Sequence, residues 1–150
     1  ISTPGLRSLE KEAVRAGGAY NHRMSLYDGI LIKDNHIAVA GSITKAVSLV
    51  KKRASHLMKI EVEVSTLDEV KEAVNAGVEV IMLDNMDYDQ MSAAVNYIDK
   101  RAVVEASGNV SLKTLNKIAA TGVDVISCGA LTHQARSIDL SMQIKAYGIR

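Results

Sequence analysis

The sequence predicts an α/β protein and, within that class, an open or irregular parallel α/β barrel of the TIM-like kind. Short runs rich in valine and isoleucine alternate with helix-like segments, which is the order of repeated βα units in a parallel sheet. This order alone fits an open doubly wound sheet equally well. However, polar residues follow several of the runs, and functional groups of barrels collect at the carboxyl ends of many strands. The polar residues therefore favour the barrel.

Five runs of mostly β-branched residues predict the strands. They span residues 30–35, 59–64, 79–85, 102–108 and 123–129. The first of them begins as a continuously apolar stretch, typical of a strand buried on both faces. A lysine and an aspartate follow at once, as Lys33 and Asp34. Because charges beside a buried strand are costly unless something satisfies them, these two are expected to face a site.

The helix-like segments carry start and stop signals. Thr66 with Glu69 predicts a capping box, and Gly77 is placed to end the helix that follows it. A first helix is predicted from Pro4, at the first helical position, to a terminating Gly17. Every predicted strand is thus separated from the next by helix-like sequence.

Length, charge and cysteine content exclude several classes of protein. A chain of 150 residues predicts one domain. With 18 basic and 17 acidic residues, the net charge of +1 gives no support for a nucleic-acid or membrane partner held by bulk charge. The single Cys128 excludes an internal disulfide and fits a reducing compartment, and no apolar stretch is long enough to span a membrane. These features predict a cytoplasmic location.

The polar residues at the strand ends are the candidate functional groups. They are Lys33, Asp34, Glu61, Glu63, Asp84, Asn85, Glu105, Ser107, Ser127 and Gly129. Glu61 and Glu63 share a face of one strand, and at least one of them is expected to be functional, the alternative being a structural acid paired with lysine. For Asp84 a functional role and a helix cap are equally compatible with the pattern, and Asp87 competes for the cap.

Glycines follow the last two predicted strands. Ser107 with Gly108, and Gly129 after the final strand, would let backbone N–H groups approach a phosphate, although glycine is also ordinary turn chemistry at these positions. The four histidines have no spacing typical of zinc ligands, so a zinc site is not expected. Phosphate binding stays open on the residues alone.

Six consecutive motifs resemble the quinolinate phosphoribosyltransferase family, the carboxylating nicotinate-nucleotide pyrophosphorylases. They are PGLRSLEKEAVRAGGAYNHR, LIKDNH, EVEVSTLDE, VIMLDN, ASGNVS and GVDVISCGALTH, and they cover nearly the whole chain in the family's order and spacing. The resemblance implies an open, irregular α/β barrel that is joined, in the family, to a separate N-terminal α/β domain. Residues 1–150 would then form the barrel domain alone, with the companion domain absent from this chain.

The resemblance also implies an activity. Family members are pentosyltransferases that join quinolinate to 5-phosphoribosyl-1-diphosphate with Mg²⁺, releasing diphosphate and CO₂ and leaving nicotinate mononucleotide for NAD biosynthesis. It implies small-molecule substrates, no nucleic acid and no membrane. The full-length parent would be a homodimer or a higher homo-oligomer, because family sites take an arginine from the partner subunit's other domain.

The resemblance assigns roles to matching residues. The catalytic set is Lys33, Glu63 and Asp84, and the quinolinate cradle is His22, Arg23 and Lys33. The phosphoribosyl diphosphate set is Glu63, Asp84, Ser107, Gly108, Asn109 and Gly129. Glu63 and Asp84 would also hold Mg²⁺, directly or through water.

The chain departs from the family pattern at two positions. Ile1 stands where the family has the lysine of Thr-Arg-Lys, and Asn109 replaces the second glycine of Ala-Ser-Gly-Gly. Three alternative functions stay open: a relative that acts on another base, such as the molybdenum-locus homologues, a non-catalytic scaffold, and a generic phosphate-binding barrel enzyme. The presence of His22, Arg23 and Lys33 argues against the first and third, because neither needs a dicarboxylate cradle.

Overall fold

The computed structural model describes residues 2–134 and 138–143. Its strands β1 to β5 are Ile30–Ile32, Ile60–Val64, Val80–Asp84, Val103–Ser107 and Val125–Ile126. Its helices α1 to α7 are Arg7–Ala16, Asp34–Ala40, Ile43–Lys51, Leu67–Ala76, Tyr88–Ile98, Leu115–Ala119 and Ala130–His133. None of the helices in these ranges is long and apolar enough to cross a membrane.

The five strands form one parallel sheet in the order β1-β2-β3-β4-β5. The predicted α/β class with a parallel sheet is therefore confirmed. Each strand pairs with its neighbours in the chain, and a helix lies between successive strands. Within the described ranges β1 and β5 are the two edges of the sheet and do not pair with each other. Closure of the sheet into a barrel stays a prediction.

One face of the sheet is apolar and is covered by helices. Its buried side chains are Ile32, Ile60, Val62, Val64, Ile81, Leu83, Val104 and Ala106. They belong to the same core as buried residues of α3, α4 and α5, such as Val47, Val70 and Ala94. Because side chains alternate along a strand, every second residue of these strands points away from the helices.

The opposite face is polar. Parallel pairing aligns Glu63 with Met82, Met82 with Glu105, and Asp84 with Ser107, so these residues share one face of the sheet. Glu61 precedes Glu63 by two residues and points the same way. We call the side of the sheet that carries Glu61, Glu63, Asp84, Glu105 and Ser107 the polar face.

Several predicted element boundaries need correction. The helix α1 begins at Arg7 and not at Pro4, because Gly5 has a φ of +78°, which an α-helix cannot include. β1 ends at Ile32 and α2 begins at Asp34, so Asp34 is helical and Lys33 alone links strand to helix. The last strand is only Val125–Ile126, and its predicted polar end lies outside it.

Other boundary predictions are confirmed. Thr66 accepts a hydrogen bond from the Glu69 N–H, and the Glu69 carboxylate accepts one from the Thr66 N–H. Gly77 adopts a left-handed conformation, with a φ of +65°, at the end of α4. Gly17 is the residue that follows α1.

The competition between Asp84 and Asp87 for the cap of α5 is resolved. The Asp87 carboxylate accepts a hydrogen bond from the Gln90 N–H at 2.8 Å, and the Gln90 side chain accepts one from the Asp87 N–H at 3.2 Å. Asp84 ends β3 and caps no helix. The helix-cap alternative for Asp84 is therefore wrong.

Asp87→Ala is expected to lower the free energy of unfolding by about 1 kcal/mol, because the first turn of α5 loses its side-chain acceptor. Asp87→Asn should be nearly neutral, since asparagine caps as well as aspartate. Urea unfolding of both variants measures the difference. Equal losses in the two would contradict a capping role.

Candidate active site

The loop before β1 carries His22 and Arg23 and is supported by α1. The Lys11 ammonium donates hydrogen bonds to the backbone carbonyls of His22, at 2.9 Å, and of Arg23, at 3.0 Å. Lys11 lies within the helix Arg7–Ala16, so a regular element holds the loop at these two residues. The first helix thus determines where the two cationic side chains enter the polar face.

A tight turn follows Arg23. The Asp28 carboxylate accepts hydrogen bonds from the N–H groups of Met24, at 2.6 Å, and Ser25, at 2.8 Å, and these bonds lower the pKa of Asp28. The Arg23 guanidinium donates to the Gly29 carbonyl at 3.0 Å. Because that partner is a neutral carbonyl, the positive charge of Arg23 is not cancelled and is available to an anion.

His22 lies against two carboxylates of the polar face. Its Nε2 is 3.1 Å from Oε2 of Glu61 and 3.7 Å from Oε1 of Glu105. Its Nδ1 accepts a hydrogen bond of 2.9 Å from the Arg23 N–H. The hydrogen bond to Glu61 is the largest influence on the imidazole and raises the pKa of His22, while burial of the ring opposes it.

The two carboxylates are nearly removed from water. Glu61 is 8% exposed and Glu105 is 5% exposed. Burial raises the pKa of Glu105, and the nearby Glu61 adds to the rise, whereas a hydrogen bond from the Ser127 hydroxyl opposes it. Oε1 of Glu61 is buried without a hydrogen-bond partner. These groups were not among the residues assigned from the sequence.

Lys33 and Glu63 form an ion pair. Lys33 Nζ lies 2.6 Å from Oε2 of Glu63, and the Lys33 side chain is 47% exposed. Glu63 is thus paired with lysine, the structural arrangement set against function in the sequence. Since Lys33 and Glu63 both match family positions that contact substrates, the pair also joins the two predicted substrate sites.

The ends of β3 and β4 are linked by asparagines. The Asn85 N–H donates to the Ser107 carbonyl at 3.0 Å, and the Asn85 amide donates to the Asp84 carboxylate at 3.0 Å. The Asn109 amide donates to Oδ1 of Asn85 at 3.1 Å. Gly108 has a φ of +94° and Asn109 a φ of +52°, so both residues of the turn are left-handed. Asn109 fits because asparagine tolerates this conformation.

Gly129 follows the neighbouring strand β5. It precedes the short helix α7, and a Cβ at this position would lie 2.7 Å from Nε2 of His133. A side chain at residue 129 would therefore displace His133. This close approach explains the glycine without a ligand.

Comparison with known proteins decides the family. The sequence profile described as "Quinolinate phosphoribosyl transferase, C-terminal domain" matches residues 2–143. The chain belongs to this family.

Relatives of the quinolinate phosphoribosyltransferase family match most of the chain. A probable nicotinate-nucleotide pyrophosphorylase (carboxylating) of Bacillus subtilis (strain 168) is 49% identical over 143 residues, covering 95% of the chain and 50% of the relative. The corresponding protein of Synechocystis sp. is 53% identical over 146 residues, with 95% and 50% covered. NadC from Streptococcus pyogenes superposes with a TM-score of 0.89 at 46% identity, covering 95% of the chain and 50% of that structure. The chain spans about half the length of these relatives.

The residues that match the family's quinolinate cradle fall into two groups. His22 and Arg23 are adjacent and bonded to each other through the His22 ring. Lys33 contacts Glu63, and in the described part of the chain no hydrogen bond or ion pair joins it to His22 or Arg23. All three are connected to the polar face through its acids or, for Arg23, through His22.

His22, Glu61 and Glu105 offer ligand atoms within 4.8 Å of one another, close enough for a metal ion. Both nitrogens of the His22 ring are already engaged, one by Glu61 and one by the Arg23 N–H. We therefore assign no metal to these three residues. Their grouping was not predicted, because histidine spacing in the sequence carries no information on a loop that folds over a sheet.

Proposed function

We propose that the chain is the barrel domain of an enzyme that transfers a phosphoribosyl group from 5-phosphoribosyl-1-diphosphate to quinolinate and yields nicotinate mononucleotide, diphosphate and CO₂. The observation that carries the proposal is the polar face, where the cations of residues 22, 23 and 33 meet the acids that end β2 and β3. The names of the relatives, nicotinate-nucleotide pyrophosphorylases, support it.

We propose that quinolinate binds at His22, Arg23 and Lys33. A dicarboxylate needs fixed positive charge, and guanidinium groups grip carboxylates through two hydrogen bonds. The Arg23 guanidinium has a neutral carbonyl partner, so an incoming carboxylate would not have to displace another anion. Lys33 would contribute a point charge that it now shares with Glu63.

We propose that Glu63 and Asp84 hold the phosphoribosyl donor and Mg²⁺. The two carboxylates lie on neighbouring strands and on the same face, with Asp84 two residues beyond the position aligned with Glu63. Carboxylate oxygens fit Mg²⁺, which takes one or two of them and completes its shell with water and phosphate oxygens. When bound, Mg²⁺ would neutralise negative charge on the diphosphate as it departs.

The 5-phosphate of the donor is proposed to lie at Ser107, Gly108, Asn109 and Gly129. The first three residues form the left-handed turn after β4, and Gly129 follows the neighbouring strand β5. Such turns present backbone N–H groups to an anion. The close packing of Gly108 and Gly129 against other residues is the alternative reason for both glycines.

The proposed reaction requires little covalent chemistry from the protein. The pyridine nitrogen forms a bond to C1 of the ribose while the bond from C1 to diphosphate breaks. The positive charge on the ring then accepts the electron pair left when the adjacent carboxylate departs as CO₂, and a proton takes its place. The residues of the chain position the two substrates and stabilise charge, and Lys33 and Asp84 are the groups proposed to lie nearest the reacting atoms.

The wider context of the chain also stays a proposal. We expect a companion α/β domain, a homodimer or higher oligomer in the full-length parent, and a cytoplasmic location. The first two follow from the family resemblance. The third follows from the single cysteine and is compatible with relatives of chloroplastic location only if the compartment differs between them.

Asp84→Asn tests the donor site. The substitution should leave the thermal midpoint of the ligand-free protein unchanged or slightly raised, because it removes one of several acids from the polar face. It should weaken Mg²⁺-dependent binding of 5-phosphoribosyl-1-diphosphate by about 1.5 to 3 kcal/mol, through the loss of a charged contact. Thermal melting of the full-length parent, with and without Mg²⁺ and donor, measures both effects.

The matched control is Asp87→Asn, the same substitution three residues further on at a capping position. It should retain the full ligand-induced rise in the thermal midpoint. If Asp84→Asn shows that same full rise, Asp84 does not hold the donor.

A further inference from the structure

Two acids beneath His22 form a buried pair. Glu61 of β2 and Glu105 of β4 lie on the polar face, and each offers an oxygen within 4.8 Å of the other and of the His22 ring. Both are more than nine-tenths buried. We call Glu61 and Glu105 the carboxyl pair. No arginine or lysine forms an ion pair with either acid in the described part of the chain.

The hydrogen bonds around the carboxyl pair leave one gap. The Ser127 hydroxyl donates to Oε1 of Glu105, and His22 Nε2 faces Oε2 of Glu61 at 3.1 Å. Oε1 of Glu61 is buried and has no partner. If both acids were ionised, two negative charges would be buried side by side and this oxygen would still lack a donor, which is costly on both counts.

A single proton on Glu105 removes both costs. Burial and the charge of Glu61 raise the pKa of Glu105, so this acid is the easier of the two to protonate. Glu61 keeps its charge because it faces an N–H of His22. Since Ser127 binds Oε1 of Glu105, the proton belongs on Oε2, where it can point to Glu61.

We infer that Glu105 is a neutral carboxylic acid whose Oε2–H donates to Oε1 of Glu61, so that one shared negative charge fixes His22 as its Nε2–H tautomer. Every polar atom of the group then has a partner. Ser127 donates to Glu105, Glu105 donates to Glu61, and His22 donates to Glu61 through Nε2.

The other side of the His22 ring agrees with this tautomer. Nδ1 accepts the Arg23 N–H at 2.9 Å, which requires a lone pair on that nitrogen. The bond to Glu61 raises the pKa of His22, but a second proton on Nδ1 would break the bond from Arg23. The ring is therefore neutral in this geometry and connects the carboxyl pair to the backbone of Arg23.

The consequence for binding rests on the proposed function. Glu61 and Glu105 are positioning residues, because they act on quinolinate through His22 and Arg23. A neutral Glu105 leaves one negative charge beneath the proposed dicarboxylate site where two would repel the ligand. Rising pH that ionises Glu105 should therefore weaken quinolinate binding.

The test compares Glu105→Gln with Glu61→Gln in the full chain. The imidazole nitrogens of His22 are followed across pH by long-range ¹⁵N–¹H spectra, with the His22 signals assigned by their loss in His22→Gln. Glutamine at 105 can donate its amide N–H to Glu61 and accept from Ser127, as the neutral acid does. It should keep the Nε2–H tautomer and move the His22 titration midpoint by less than about 0.5 pH unit.

Glu61→Gln should lower the His22 midpoint by about one pH unit or more, because the adjacent negative charge is lost. Glu63→Gln is the matched control. It removes the same charge two residues along the same strand, but its partner is Lys33, and it should leave the His22 tautomer unchanged. If Glu105→Gln lowers the midpoint as far as Glu61→Gln does, Glu105 carries a charge and the inference is overturned.

A second measurement does not depend on any variant folding. In the wild-type chain, ¹³C spectra of the glutamate carboxyl groups should show one acid still protonated at neutral pH. If all of them titrate in the ordinary range near about pH 4.3, the inference fails. Quinolinate titrated into the full-length protein at increasing pH separates the two proposals: no binding at any pH overturns the proposed function, while the spectra still decide the state of Glu105.

Discussion

Gly108→Ala is expected to lower the free energy of unfolding by about 3 kcal/mol, through backbone strain and a steric clash together. Gly108 has a φ of +94°, and a Cβ built there would overlap Oδ1 of Asn85 and lie 2.6 Å from its Cγ and 3.1 Å from its backbone N. The Asn85 side chain could turn away only by giving up its bonds to Asp84 and Asn109. The backbone contact would remain.

Gly41→Ala is the control for this substitution. Gly41 has nearly the same φ, +93°, but a Cβ there would meet nothing within 4 Å. It should cost about 1 kcal/mol, the price of a left-handed alanine alone. Denaturant unfolding of both variants gives the difference. Equal losses would mean that the packing of β3 against the turn after β4 contributes nothing.

Arg23→Ala in the full-length parent is expected to weaken quinolinate binding by about 2 to 4 kcal/mol, the loss typical of removing one partner of a desolvated charge pair. Binding of 5-phosphoribosyl-1-diphosphate should change much less, because its proposed contacts lie on β3, β4 and the turns after them. Calorimetric titration with each ligand measures the two affinities.

Arg53→Ala is a suitable control for Arg23→Ala, because Arg53 is an exposed residue just beyond α3, away from the polar face. It should leave the quinolinate affinity unchanged. If Arg23→Ala weakens both ligands to the same extent, the substitution has damaged the fold or the loop and not a quinolinate contact.

The strands of the middle of the sheet could be predicted closely from the sequence. The runs 59–64 and 79–85 contain β2 and β3 with an error of one residue at most at each end, because β-branched residues and flanking turn signals agree there. The capping box of Thr66 and Glu69 was equally readable, since its hydrogen bonds join residues three apart. Local signals predicted local structure.

The start of α1 could not be read in the same way. Thr3 and Pro4 form a good capping pattern, but the Leu6 N–H bonds to the Thr3 carbonyl in a turn, and Gly5 takes a left-handed conformation. A glycine in the first turn was the available warning. Glycine permits the turn without requiring it, so the sequence favoured the wrong start.

The surroundings of His22 were beyond prediction from the residues alone. Its contact with Glu61 joins positions 39 apart in the chain, and it depends on how the loop after α1 folds over the sheet. The alternation of β2 and β4 does place Glu61 and Glu105 on the same face once the register is known. The missing information was the register, and with it the acids could have been grouped in advance.

The sequential order of the strands has a consequence for folding. Because each strand pairs with the next one in the chain, every pairing closes a loop of a single βα unit, and no pairing requires the two ends of the chain to meet. Loop-closure entropy is therefore similar at each step, and no long-range contact delays the rest. The five-residue strands β2, β3 and β4 hold the most completely buried side chains, whereas β1 has three residues and β5 two. Such a sheet would nucleate in its centre and grow outward in both directions, one unit at a time, so that its margins form last and open first.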